Sequence, residues 1–93
     1  ELTGGRRPVV VLTRDRAIPV LSQIVVAMVT GTVRGLPTEV PVGPEHGLDR
    51  ESVINCDNLF TVSKSELGAR RGDIDGVALH RLRRALRTAL DLD

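Results

Sequence analysis

The sequence predicts a mainly β, α+β fold: five to six short strands followed by one C-terminal amphipathic helix. Two patterns and one bound on size predict it. Apolar, β-branched runs of strand length recur between Gly- and Pro-rich breaks. The last third switches to a repeat of three and four, the period of a helix with one apolar face. The chain has 93 residues, enough for one small domain that buries roughly 60% of its unfolded surface and profits from oligomerisation. Short strands with this punctuation suggest a small barrel or sandwich.

Each element can be justified in order. Leu2-Thr3 reads as the end of a strand whose earlier part is expected to precede Glu1, and Gly4-Gly5 as a tight hairpin turn tolerant of positive φ. Pro8 to Thr13 is a continuous β-branched run, expected to be a strand buried on both faces, with proline at its first position where no ladder bond is lost. Arg14 to Ser22 is a loop, and Gln23 to Thr30 the next strand. Gly31 to Pro37 is a second loop. It leads into Thr38 to Val42, where Pro41 marks an edge strand. After a turn at Gly43 to Gly47, Ser52 to Asn58 and Leu59 to Val62 read as one or two further strands. Lys64 to Leu67 makes a single helical turn. From Asp75, an N-cap, the residues Ala78, Leu79, Leu82, Ala85, Leu86, Ala89 and Leu90 form one helical face, with His80, Arg81, Arg83, Arg84, Arg87 and Thr88 on the other.

Composition excludes several classes. Hydrophobic residues make up 41% of the chain, yet Phe60 is the one aromatic, so modules that stack bases on exposed rings, or peptide grooves lined with aromatics, lack their working parts. Cys56 stands alone and forms no internal disulfide, which fits a reducing cytosol. No run approaches the roughly 20 apolar residues of a membrane span, and none reads as a signal peptide, so a cytoplasmic location with no membrane partner is expected. No His, Cys and carboxylate group has metal-ligand spacing, so neither a metal nor another cofactor is expected. The net charge of +1 hides a pattern. Residues 1–34 carry net +3, residues 35–69 net −4 and residues 70–93 net +2. If the two basic thirds share a face, that face suits phosphate.

Arg7-Pro8 places a fixed charge at the mouth of one strand, and Thr30 ends another with a hydroxyl. Alone, each reads as an ordinary strand-end residue. The order of four segments gives them a family context: Arg7-Pro8-Val9-Val10-Val11-Leu12-Thr13, then Val25-Val26-Ala27-Met28-Val29-Thr30, then Gly47-Leu48-Asp49-Arg50-Glu51-Ser52-Val53-Ile54-Asn55-Cys56-Asp57-Asn58, then Lys64-Ser65-Glu66-Leu67. In these the chain resembles the MazF/PemK toxins of bacterial toxin-antitoxin systems over nearly its whole length. The resemblance implies an SH3-like small β-barrel with a C-terminal helix, forming one toxin domain over residues 1–93. It implies a homodimer that cuts single-stranded RNA at short sequences and is inhibited by a cognate antitoxin. By position, the family's catalytic arginine corresponds to Arg7 and its catalytic Ser/Thr to Thr30.

The chemistry of that pair can be argued independently. Metal-free RNA cleavage uses the ribose 2′-OH as nucleophile and needs charge stabilisation at the phosphate. A guanidinium stays charged and grips two oxygens in a fork, and a threonine hydroxyl can donate to the same group. Arg7 is no general base, because a guanidinium holds its proton too tightly to exchange it in this way. Arg6, Arg14, Arg16 and Arg34 are candidate phosphate contacts that would position RNA, and Asn58 is a candidate for a base edge. His46 and His80 fall outside the segments the family uses for catalysis. The chain departs from longer members, which carry a glycine and a glutamate in a loop ahead of the Arg-Pro; here Gly4-Gly5-Arg6 closes that loop at once. Two other readings stay open: a gyrase-poisoning toxin of the same fold, expected to carry a Trp near the C-terminus that this chain lacks, and a non-catalytic barrel that binds RNA or protein.

Overall fold

The computed structural model describes residues 1–2 and 7–93. The Gly4-Gly5 hairpin turn and the Arg6 assignment therefore lie outside the described residues. The element order is β1 (Val9–Val11), β2 (Gln23–Thr30), β3 (Glu39–Val42), a 3-10 turn (Pro44–His46), β4 (Ser52–Ser63), a second 3-10 turn (Lys64–Glu66) and α1 (Gly76–Ala89). The strands form one antiparallel sheet in the order β1-β2-β4-β3. The result is mainly β, a curled half-barrel with a C-terminal helix.

Among the described residues there are four strands where five to six were expected. Ser52 to Val62 does not break in two: β4 runs for 12 residues and pairs with β2 on one side and β3 on the other. Of the one or two strands expected there, one forms, with a bulge near Asn58. Ala27 faces Leu59 but Met28 faces Asn55, so Cys56, Asp57 and Asn58 have no partner on β2. They are held from the other side, where the Cys56 N–H donates to the Thr38 carbonyl at 2.9 Å and the Thr38 hydroxyl donates to Asp57 Oδ2 at 2.6 Å. A bulge bends its strand, and here it curls the sheet.

Two clusters use the two faces. Ala27, Val29, Val40, Val42, Ile54 and Cys56 form a core with Leu82 and Ala85 of α1. Ile24, Val26 and Val62 form a smaller one, flanked by Val9, Phe60, Leu2 and Leu67. Strand alternation accounts for the division, since Val26 and its neighbour Ala27 project to opposite faces. Leu2 makes isolated bridges to Arg7 and to Leu67. It thereby ties the start of β1 to the segment after β4 and draws the curl inward.

β1 is shorter and more exposed than its composition suggests. Only Val9 to Val11 are paired, and Val11 is 38% exposed, because β1 is an edge strand rather than one covered on both faces. Pro41 does sit on an edge strand, β3. Asp75 caps α1 by accepting the Ala78 N–H at 2.7 Å. That bond, assisted by the neighbouring His46, holds the Asp75 carboxyl below its ordinary range. On the helix, Ala78, Leu82 and Ala85 are buried, whereas Leu79 and Leu90 are exposed. The stripe that meets the sheet is narrower than the apolar face.

Candidate functional site: a cleft at the open end of the first hairpin

The antiparallel register of β1 and β2 builds the site. Val9 faces Met28, and the Val29 N–H donates to the Pro8 carbonyl at 3.2 Å. One step further, the same register sets Arg7 opposite Thr30. Directly opposed residues project to one face, here the face of Val9 and Val26, away from α1. Arg7 and Thr30 line one cleft of about 680 Å³, together with Gly31, Asp49, Arg50, Ser52 and Arg71.

The Thr30 Oγ1 accepts the Thr32 N–H at 3.1 Å. One lone pair is thus used locally, and this bond leaves the hydroxyl proton available to donate. Among the described residues, the Arg7 side chain has no hydrogen-bond or ion-pair partner, and it is exposed. Asp57 accepts the Thr38 hydroxyl. Arg71 is different: it pairs with Glu1 at 3.0 Å and Asp49 at 2.8 Å, and those bonds hold its guanidinium above even the usual arginine value. Two carboxylates compensate Arg71, and among the described residues none compensates Arg7.

The other candidates are spread out. Arg14 and Arg16 are exposed in the turn that joins β1 to β2. That is the closed end of the hairpin, roughly 20 Å from Arg7 at the rise of an extended strand. Arg34 lies on the loop after Thr30 but does not line the cleft. The loop is shaped by Glu39, whose carboxylate accepts the N–H groups of Arg34, Gly35 and Leu36 at 2.9 to 3.3 Å. Asn58 is exposed on the β4 bulge. The sequence reading missed Arg50, Ser52 and Arg71. They come from loops and a strand end distant in sequence from Arg7, and no local period marks them.

Cys56 and the histidines do not line this cleft. Cys56 is 1% exposed, and burial together with the Asp57 charge pushes its thiol up to about 11, so it is neither accessible nor ionised at neutral pH. His46 accepts the Gly43 N–H on Nδ1 at 3.2 Å, and its Nε2 lies 3.4 Å from Asp75 Oδ2. It braces the turn before β4 against the cap of α1. His80 is exposed on the helix. Among the described residues, no group of three His, Cys, Asp or Glu side chains is placed to hold a metal ion, and no helix is long and apolar enough to cross a membrane.

A model for PemK-like, MazF-like toxins of type II toxin-antitoxin systems matches residues 1–90. The chain belongs to the PemK/MazF toxin family. Its similarity to named members is substantial. It is 44% identical over 87 residues to the endoribonuclease MazF3 of Mycobacterium tuberculosis, covering 94% of this chain and 84% of that protein. It is 42% identical over 88 residues to the probable endoribonuclease MazF5 of the same organism, covering 94% and 81%. Among solved structures, the M. tuberculosis toxin MazF-mt6 superposes with a TM-score of 0.91 at 44% identity, over 94% of this chain and 88% of that one. A mycobacterial endoribonuclease in complex with its cognate antitoxin superposes with a TM-score of 0.87 at 31% identity, over 100% and 88%. The PemK/MazF assignment thus covers the half-barrel, the cleft and α1 together.

Proposed function

We propose that this chain is an endoribonuclease toxin that cuts single-stranded RNA at short sequence motifs, without a metal, and is inhibited by a cognate antitoxin. One observation carries the reading: an arginine with no ion-pair partner among the described residues and a threonine hydroxyl line one cleft of a PemK/MazF chain. In the proposed reaction the ribose 2′-oxygen attacks the adjacent phosphorus and the 5′-oxygen leaves. The products are a 2′,3′-cyclic phosphate and a 5′-OH end. Arg7 grips the non-bridging oxygens and stabilises their growing charge, and Thr30 donates a hydrogen bond to the same phosphate. Arg7 stays charged throughout, so the 2′-OH proton passes to another acceptor.

Within this reading, Arg34 extends the phosphate track beyond Thr30 and Asn58 reads a base edge. Arg14 and Arg16 would touch only RNA that runs well past the cut. The SH3-like barrel, with residues 1–93 as one toxin domain, is the matching description of the fold, supported by the Leu2 bridges that tie β1 to the end of β4. A cytoplasmic site of action follows from an RNA substrate.

The test is incubation of purified protein with a long RNA in EDTA, followed by end analysis. Cuts are expected at a short recurring motif with 2′,3′-cyclic phosphate ends. Thr30→Ala is expected to slow them roughly 10- to 100-fold, the range for a hydrogen bond to a charged group. RNA left intact by natively folded protein would sink the nuclease reading in favour of a non-catalytic barrel.

The protein is further proposed to act as a homodimer, because a domain this small gains stability by covering an exposed edge such as β1. Sedimentation should give twice the chain mass at micromolar concentration. A stable monomer there would contradict it. The mycobacterial endoribonuclease solved with its cognate antitoxin supports an antitoxin as partner, and the proposal is that it inhibits by covering the basic cleft; full cleavage by a stoichiometric antitoxin complex would count against that.

A further inference from the structure

We propose that Arg50 is a second phosphate-binding residue of this cleft, seated over Gly31, and that it holds the backbone phosphate beside the one being cut. The inference rests on the RNA-cleaving reading above and adds a residue to it. Its basis is a close approach of side chain to backbone. A Cβ placed on Gly31 would lie 2.9 Å from Arg50 Nη2, 3.0 Å from Cζ and 3.1 Å from Nε. Three atoms of a planar group at nearly equal distance mean that the guanidinium lies flat over Gly31, with its N–H edges directed along the surface. Gly31 directly follows Thr30, and Arg50 lines the same cleft as the proposed catalytic hydroxyl.

Charge supports the assignment. Arg50 stands between two acids in sequence, Asp49 and Glu51, each near enough along the chain to neutralise it. Neither does so. Asp49 pairs with Arg71 at 2.8 Å, and the Glu51 carboxylate lies against Gly43, within 2.7 Å of where a Cβ would stand. Among the described residues Arg50 has no ion-pair or hydrogen-bond partner for its guanidinium. The Ser52 hydroxyl instead donates to the Arg50 carbonyl at 3.2 Å, fixing the backbone that carries the side chain. Among the described residues the cleft therefore holds two open guanidinium groups, Arg7 and Arg50, and one closed, Arg71. Two open forks in the cleft that Thr30 also lines suit consecutive phosphates of one strand better than a single anion.

The seat explains the glycine. Gly31 has no left-handed φ, so alanine is sterically possible for its own backbone. What an added methyl would displace is the far end of a flexible side chain, which can swing away without disturbing the sheet. Gly31→Ala thus serves as a folded variant in which Arg50 is present but misplaced.

The experiment measures binding of an uncleavable 2′-O-methyl RNA oligonucleotide across a salt series, with cleavage of ordinary RNA run alongside. Arg50→Ala is expected to weaken binding roughly tenfold and to reduce the slope of log affinity against log salt by about 0.7, the value for one single-strand phosphate contact. Arg50→Lys should restore the slope but only part of the affinity, since an ammonium lacks the fork. Gly31→Ala should weaken binding like Arg50→Ala with its melting temperature unchanged, and Arg83→Ala on the far helix face should change nothing. In cleavage, Arg50→Ala should raise KM roughly tenfold and leave kcat within about threefold, as loss of uniform binding does. If wild type cleaves and Arg50→Ala keeps the wild-type affinity and slope, the Arg50 assignment is overturned and the nuclease reading stands. If wild type fails to cleave while the slope still falls, the nuclease reading is lost and Arg50 remains a phosphate contact.

Discussion

Arg7→Ala is expected to lower the rate of RNA cleavage by roughly 10³-fold or more, with KM changed far less and the melting temperature unaltered. The magnitude follows from its role, because a guanidinium aimed at developing phosphate charge ranks among the larger single contributions to such reactions. The unchanged stability follows from its place. Arg7 is exposed, and among the described residues its side chain has no partner to lose. Arg7→Lys should recover only a small part of the rate, since it restores charge but not the two-oxygen grip. Single-turnover cleavage of a short RNA, paired with thermal melting, separates the two effects. An Arg7→Ala protein that cleaves within tenfold of wild type would remove Arg7 from the mechanism.

Ile54→Ala should have the largest effect on stability, about 2–5 kcal/mol. Ile54 is fully buried on β4, facing Val29 of β2 and Val40 of β3, and it belongs to the cluster that contains Leu82 and Ala85 of α1. Its truncation opens a cavity where three strands and the helix meet. Against a total of about 5–15 kcal/mol for a typical domain, a loss of that size should lower the melting temperature by roughly 10 °C or more. Val25→Ala, at a position 39% exposed on β2, serves as the contrast and should lose far less. Equal losses for the two, read from urea unfolding, would show that this cluster is not the centre of the fold.

These two residues were legible to different degrees. The strand holding Ile54 is written in its β-branched run, and the α1 stripe of Ala78, Leu82 and Ala85 in its spacing. Arg7 and Thr30 were also visible, as polar groups at the ends of apolar runs, and family resemblance joined them. Arg50 was visible only as part of a motif, with no role attached. Its place over Gly31, and the diversion of Asp49 to Arg71, depend on side chains meeting across 19 or more positions of chain. The basic loops proved separable in the same way. Arg14 and Arg34 flank the two strands equally well in sequence, but a hairpin places its connecting turn and its open end at opposite limits of the strands.

What the sequence determined by itself was therefore local: where strands and helix lie, which residue caps α1, and which side chains carry charge. Periodicity and capping act over a few residues, so they can be read without a partner. The tertiary structure alone decided the register that sets Arg7 opposite Thr30, the bulge that makes β4 one bent strand, and which of the cleft's arginines stay uncompensated. Each of these depends on contacts between distant segments, whose closeness follows from burying two apolar faces at once rather than from any pattern along the chain.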